Sequence, residues 1–326
     1  MGLKHESAEK NNKEGKNKMA GFQQLRVTRE VDFTGAALIG VGGGNYPLQG
    51  GKAFFVNSST GDNGYEGTSS AYPLADLETA YGKCTAGKGD YIFVQVFSTL
   101  TDAPLTIAKN DIHLISLGTR NFDNGNDLNG DDEVALNLAS GGYDFEIAGF
   151  NIGADGDHYA LESTAGSLYR NHIHHCTFGH NFSASDGIHV LEISHATIDH
   201  CLFSNMLTGY GIYVSSVVDS VIADNTFFCV ADKKCIYVTG GAVLLSILEN
   251  KFYSHTDEDE ETGWAIDLAA ACTSGIVMGN KTSQVGSSSH TPYLDRTGTN
   301  MNNIHFGWSD NHNGVTHPAS PVFAAE

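Results

Sequence analysis

"IHHCTF", Ile173–Phe178, is followed by "IDHCLF" at Ile198–Phe203, "IADNTF" at Ile222–Phe227 and "ILENKF" at Ile247–Phe252. The frame I-x-x-(C/N)-x-F therefore returns at intervals of 25, 24 and 25 residues. Looser copies flank it, "IAGFNI" from Ile147 and "VMGNKT" from Val277, and "IHLISL" from Ile112 is assigned to an earlier turn of the same kind. A second frame runs in phase with the first: "GIHV" at Gly187, "GIYV" at Gly211, "CIYV" at Cys235 and "AIDL" at Ala265. Its last interval takes in the acidic insertion "HTDEDEETGW", His255–Trp264. Two period-2 apolar patterns per repeat, each flanked by Gly, Asn, Asp or Ser, describe short strands and exclude an amphipathic helix.

A coil of about 24 residues holding two or three strands, stacked on its neighbours at roughly 4.8 Å, is the unit of an all-β parallel β-helix. Equivalent positions then form columns along the solenoid. Ile173, Ile198, Ile222 and Ile247 make an interior aliphatic stack, and Phe178, Phe203, Phe227 and Phe252 an aromatic one. Between them runs the column Cys176, Cys201, Asn225, Asn250, Asn280. Asparagines buried at a bend can hydrogen-bond along such a column, with cysteine as a small apolar substitute.

These registered columns, over roughly residues 105–290, resemble the right-handed parallel β-helices of the pectate-lyase-like class. The resemblance implies a right-handed course, in line with the general handedness of parallel crossovers. "KAFFVNSSTGDNGYEGTSSAYPLADLETAYGKCTAGKGDYIFVQ", Lys52–Gln95, is similar to the opening of many such proteins. Leu74, Leu77, Ala80 and Tyr81 in it fit a short helix that caps the hydrophobic bore. With acidic, cysteine-tolerant coils and a short N-terminal arm, the chain also resembles β-helix virion proteins of tailed bacteriophages. Four regions are expected: a flexible or extended arm with a Gly-rich linker (1–50), an N-terminal cap with the first strands (51–104), the coils (105–290), and a C-terminal cap or subunit-contact tail (291–326).

The 326 residues include 38 glycines and only 6 prolines, a composition that favours many short strands. The formal charge of -20 is unevenly spread: residues 1–30 hold seven Lys/Arg and four Asp/Glu, leaving 11 against 34 in the body. So acidic a body repels nucleic acid, anionic membranes and polyanionic glycans. No run is long and apolar enough to span a membrane, and the polar start "MGLKHESAEKNNKEGKNKM" does not read as a signal peptide. Six cysteines without a C-x-x-C pair exclude a zinc knuckle. Free buried thiols are expected, and Cys229 and Cys235 are placed to close a small loop under oxidising conditions.

Four groups of residues bear on chemistry. The outward column His189, Tyr213, Tyr237, Asp267, with Glu162 one coil earlier, offers aromatic rings beside acids, as a neutral glycan requires. Glu162 and Asp267 would stand about 19 Å apart, beyond the roughly 5–10 Å of a glycosidase pair. Glu162 with His189 is the acid/base pair of the catalytic alternative. The edge column His175, His200, Asp224, Glu249 could hold a divalent metal, but a straight ladder does not converge tetrahedrally. "DNGNDLNGDDE", Asp123–Glu133, with Asp123, Asp127, Asn129 and Asp131, is a calcium candidate by composition, although the EF-hand glycine is missing and a solvated loop is its other reading. Apart from that calcium, no cofactor is expected.

The expected function is a non-enzymatic structural protein of a phage virion, a capsid decoration, surface or fibre-like β-helix assembled in the host cytoplasm. Residues 20–50, whose "FQQLRVTREVDFTGAALIG" alternates apolar residues suited to strand addition, would contact capsid or other virion proteins. A homo-oligomer is expected, and surface β-helices often pack as trimers. The alternative is a carbohydrate-binding or carbohydrate-cleaving β-helix, a tailspike-like glycosidase or polysaccharide lyase. A lyase acting on uronates would need calcium and a basic residue near the abstracted proton, and no arginine is expected on the Gly-Ile-x-Val face.

Overall fold

The computed structural model describes residues 51–284 with short interruptions at 96–98, 101–103, 119–125, 131–132, 164–166, 180–183, 205–207, 230–233, 255–264 and 269–274. It also describes the strands Leu38–Ile39, Asn45–Tyr46 and Phe306–Ser309. Apart from the antiparallel pair Leu38–Ile39 and Asn45–Tyr46, the named strand ladders are parallel, and they run in a 17-stranded and an 8-stranded sheet. Each coil returns to the sheet one step along the axis, so the repeat becomes a stack.

The register fixes the columns. Ile147, Ile173, Ile198, Ile222, Ile247 and Val277 pair in succession, each no more than 1% exposed. Leu114 pairs with Ile147, so this column is occupied in the earlier coil by Leu114 and not by Ile112, which pairs with Asp90. On the 8-stranded sheet Phe178, Phe203, Phe227 and Phe252 stack with ring centroids 4.8, 4.4 and 5.1 Å apart. These spacings match the strand separation, so backbone pairing and ring stacking reinforce one another. A third interior column, Leu161, Ile188, Ile212, Ile236, Ile266, closes the bore.

At the bend the asparagines form a continuous ladder. Asn225 Nδ2 donates to Ile198 O at 2.9 Å and Asn250 Nδ2 to Ile222 O at 2.9 Å, while Asn250 Oδ1 accepts from the backbone N–H of Asn225. Asn280 repeats the pattern beneath Asn250. Cys176 and Cys201 continue the column as buried free thiols. Beside it, His175, His200, Asp224 and Glu249 all have φ between 53° and 56°, and Gly149 and Gly279 occupy the same step. That edge column is a left-handed bend position, which favours Gly and admits Asp and His more readily than most other side chains.

The helix Leu77–Lys83 covers the start of the solenoid and buries Leu77, Ala80 and Tyr81. It begins at Leu77, because Leu74 is held in a parallel bridge to Val56. Asp76 caps it, accepting the Thr79 N–H at 2.6 Å. Lys109 closes the other end by donating from Nζ to the carbonyls of Tyr81, Gly82 and Cys84 at 2.7, 3.0 and 2.8 Å.

The parallel pairing extends beyond residues 105–290. Ala53–Val56 already pairs with Asp90–Val94, and Phe306–Ser309 pairs with Gly275–Met278. Within the first 50 residues Leu38–Ile39 and Asn45–Tyr46 pair as strands. Cys235 is disulfide-bonded, against the expectation of free thiols and in keeping with the oxidised alternative at that position. Cys84, by contrast, is a free buried thiol pushed up to about 12 by desolvation, with Asp90 adding to the shift. No helix among the described residues is long and apolar enough to cross a membrane.

Candidate functional site

Two outward faces carry the polar chemistry. On the first, Glu162, His189, Tyr213, Tyr237 and Asp267 are successive register partners, one per coil. Neighbours from the adjoining turns join them. Tyr159 stacks on His189 at 4.0 Å and His189 on Tyr213 at 4.4 Å, with interplanar angles of 16° and 10°. Tyr213 meets Tyr237 edge-on at 74°, and Tyr210 leans on both. Lys234 Nζ sits 3.7 Å from the Tyr237 ring centroid and forms an ion pair with Asp267. Desolvation opposes its charge, but Asp267 holds the Lys234 ammonium above its ordinary range.

Asp186 organises the same face from within. Its Oδ1 accepts the Tyr210 N–H at 2.7 Å, and its Oδ2 lies 2.6 Å from His189 Nδ1. The imidazole is thereby oriented by a nearly buried carboxylate, which fixes Nδ1 as the protonated nitrogen of the neutral ring. Burial raises the hydroxyls of Tyr159 and Tyr210, with Asp186 adding to both shifts. Tyr159, Asp186, Tyr210 and Lys234 fall outside the Gly-Ile-x-Val frame. Their signal is only their recurrence at the position immediately before each frame.

The second face lies outside the isoleucine column. The residues before it run Tyr91, His113, Glu146, His172, Thr197, and those after it Phe93, Ile115, Ala148, His174, Asp199. The aromatic and aliphatic members form a small buried cluster of Tyr91, Phe93, Ile115 and Ala148 against Ala53 and Phe55. Where it ends, a histidine–carboxylate network begins. Glu146 Oε2 is 2.7 Å from His113 Nδ1, and Oε1 is 2.8 Å from His174 Nε2. Asp199 Oδ1 and Oδ2 each lie 2.6 Å from an imidazole, His172 Nε2 and His200 Nδ1. His174 Nδ1 contacts His175 Nδ1 at 2.8 Å, and His175 stacks on His200 at 5.0 Å. Desolvation alone would raise both carboxyls, yet hydrogen bonds from the histidines hold Glu146 and Asp199 at about 2.

The ladder His175, His200, Asp224, Glu249 therefore does not gather ligands as a unit. Its two histidines join a network whose centre, Glu146 with His172 and His174, is visible in the sequence only when the positions on either side of the repeating isoleucine are aligned.

Of the calcium candidates, Asp123 and Asp131 lie outside the described residues. Asp127 and Asn129 stand on the strand Asn126–Gly130, within the parallel ladder and not in a loop. Asp127 Oδ1 accepts from Asn151 Nδ2 at 2.8 Å, and Asn129 Oδ1 is buried without a hydrogen-bond partner among the described residues.

Residues 139–288 match the family model described as "Right handed beta helix region". The solenoid is a right-handed parallel β-helix. The sequence matches no curated protein. Among solved structures, the GH136 lacto-N-biosidase from Eubacterium ramulus is similar over 80% of this chain and 67% of that chain, at 9% identity and a TM-score of 0.36. A rhamnogalacturonan lyase is similar over 81% of this chain and 63% of that chain, at 10% identity and a TM-score of 0.28.

Proposed function

We propose that this β-helix is a non-enzymatic structural protein of a phage virion, displayed on a capsid or tail and attached through residues 20–50. The observation that carries the non-enzymatic part is how the outward polar groups are used. Asp186 is committed to His189 and the Tyr210 backbone, Asp267 to Lys234, and Asp144 to Arg170 through two hydrogen bonds of 2.6 and 2.7 Å. The rings of Tyr159, His189 and Tyr213 pack on one another, and Lys234 lies over Tyr237. Aromatic faces that would stack on a sugar are thus spent on side chains of the same or the next coil. Side chains used this way clamp successive turns and suit a rigid displayed body.

Deleting residues 1–50 tests the attachment. Particles assembled with the shortened chain should lack it, while the full chain co-sediments with them. Equal incorporation of both would overturn the role given to the arm.

A second reading, a carbohydrate-binding or carbohydrate-cleaving β-helix, is favoured by one geometry. Asp186 orients His189 through Nδ1, and Glu162 is the register partner of His189 one coil away. A carboxylate-oriented imidazole beside a second acid is a workable acid/base arrangement.

A further inference from the structure

Two histidines on one strand and a glutamate on the next converge where the repeat alone would set them in separate lines. Glu146 pairs with His172, and Ala148 with His174, so Glu146 faces outward beside two histidines that share its face. One ligand atom from each of Glu146, His172 and His174 lies within 4.8 Å of the other two. We propose that these three side chains bind a first-row divalent transition-metal ion of the zinc type, clamping two adjacent coils.

The donor set selects the ion class. Two imidazoles and one carboxylate suit zinc, cobalt or nickel, whereas calcium takes oxygen ligands throughout. Bond lengths near 2.0–2.2 Å place ligand atoms roughly 3 Å apart. His174 Nε2 and Glu146 Oε1, at 2.8 Å, already have that separation. His172 closes the set, and its side chain, 33% exposed, gives the ion a way in. The second atoms of the ligands are also held: Glu146 Oε2 by His113, His174 Nδ1 by His175, and the His172 ring by Asp199. Such outer partners orient metal ligands in established sites. The charge balance is favourable as well, since Glu146 and Asp199 together match a dication.

The test is calorimetric titration of the chelator-treated full-length chain with zinc at neutral pH. A cobalt titration followed by d–d absorption is run in parallel. One equivalent should bind saturably, and cobalt should give the spectrum of a nitrogen- and oxygen-ligated ion. Affinity should fall at least about tenfold in Glu146→Gln and in His172→Ala. It should be unchanged in His195→Ala, which alters an exposed histidine on another bend. His172→Ala carries the test if His174→Ala, at a buried position, fails to fold. Absence of saturable binding, or equal affinity in the wild type and in both ligand variants, would overturn the site.

Discussion

Asn250 shows how much one side chain does in this solenoid. It is fully buried, donates to Ile222 O and to Asn280 Oδ1, and accepts from the Asn225 backbone. Replacing it with alanine leaves a buried N–H and a buried carbonyl unpaired, at about 1–3 kcal/mol each. Asn250→Ala should therefore lower stability by roughly 2–6 kcal/mol in denaturant unfolding. Cys201→Ala, in the same column, removes a thiol whose contacts to Asp199 O and Ile173 O are weak sulfur hydrogen bonds of 3.3 and 3.7 Å, and should cost about 1 kcal/mol. The asparagine column was legible because its residues recur at a constant offset from an isoleucine. Glu146 was not, since its partners His113 and His174 lie 33 and 28 residues away and share no motif with it.

At the scale of elements, local signals and the ladder sometimes disagree. Asn126–Gly130, with two asparagines, an aspartate and a glycine, reads as loop by propensity, yet its neighbours on both sides supply a parallel ladder and it becomes a strand. Strand propensity is weak against cross-strand pairing. The helix Leu77–Lys83 obeys its local signals: Asp76 is the cap, Glu78 lies in the first turn and Lys83 in the last. Asp76→Ala should cost about 1 kcal/mol. The cost should also depend on pH. Desolvation pushes the Asp76 carboxyl up, but hydrogen bonds from Thr79 and Asn63 bring it below its ordinary 3.8. A depressed folded value means that the ionised cap stabilises above the unfolded value, and that this part fades as pH falls through the folded one. The gap between wild type and Asp76→Ala should therefore narrow under acid, and thermal melts from neutral pH down to about 2 would show it.

The described coils form a stack in which each contacts chiefly its neighbours, so the architecture follows from spacing. That is why the class of fold could be read from four six-residue segments. The faces outside the bore could be read only as columns. What their side chains do depends on contacts between coils, such as Lys234 with Asp267 or His189 on Tyr213, that no single repeat contains. In the role proposed above, these contacts serve structure and not catalysis. A depolymerisation screen of the intact chain against neutral and acidic polysaccharides, read as new reducing ends and unsaturated products, tests this most directly. No turnover is expected on any of them. Cleavage that is lost in Glu162→Gln or His189→Ala, with both variants folded, would contradict it.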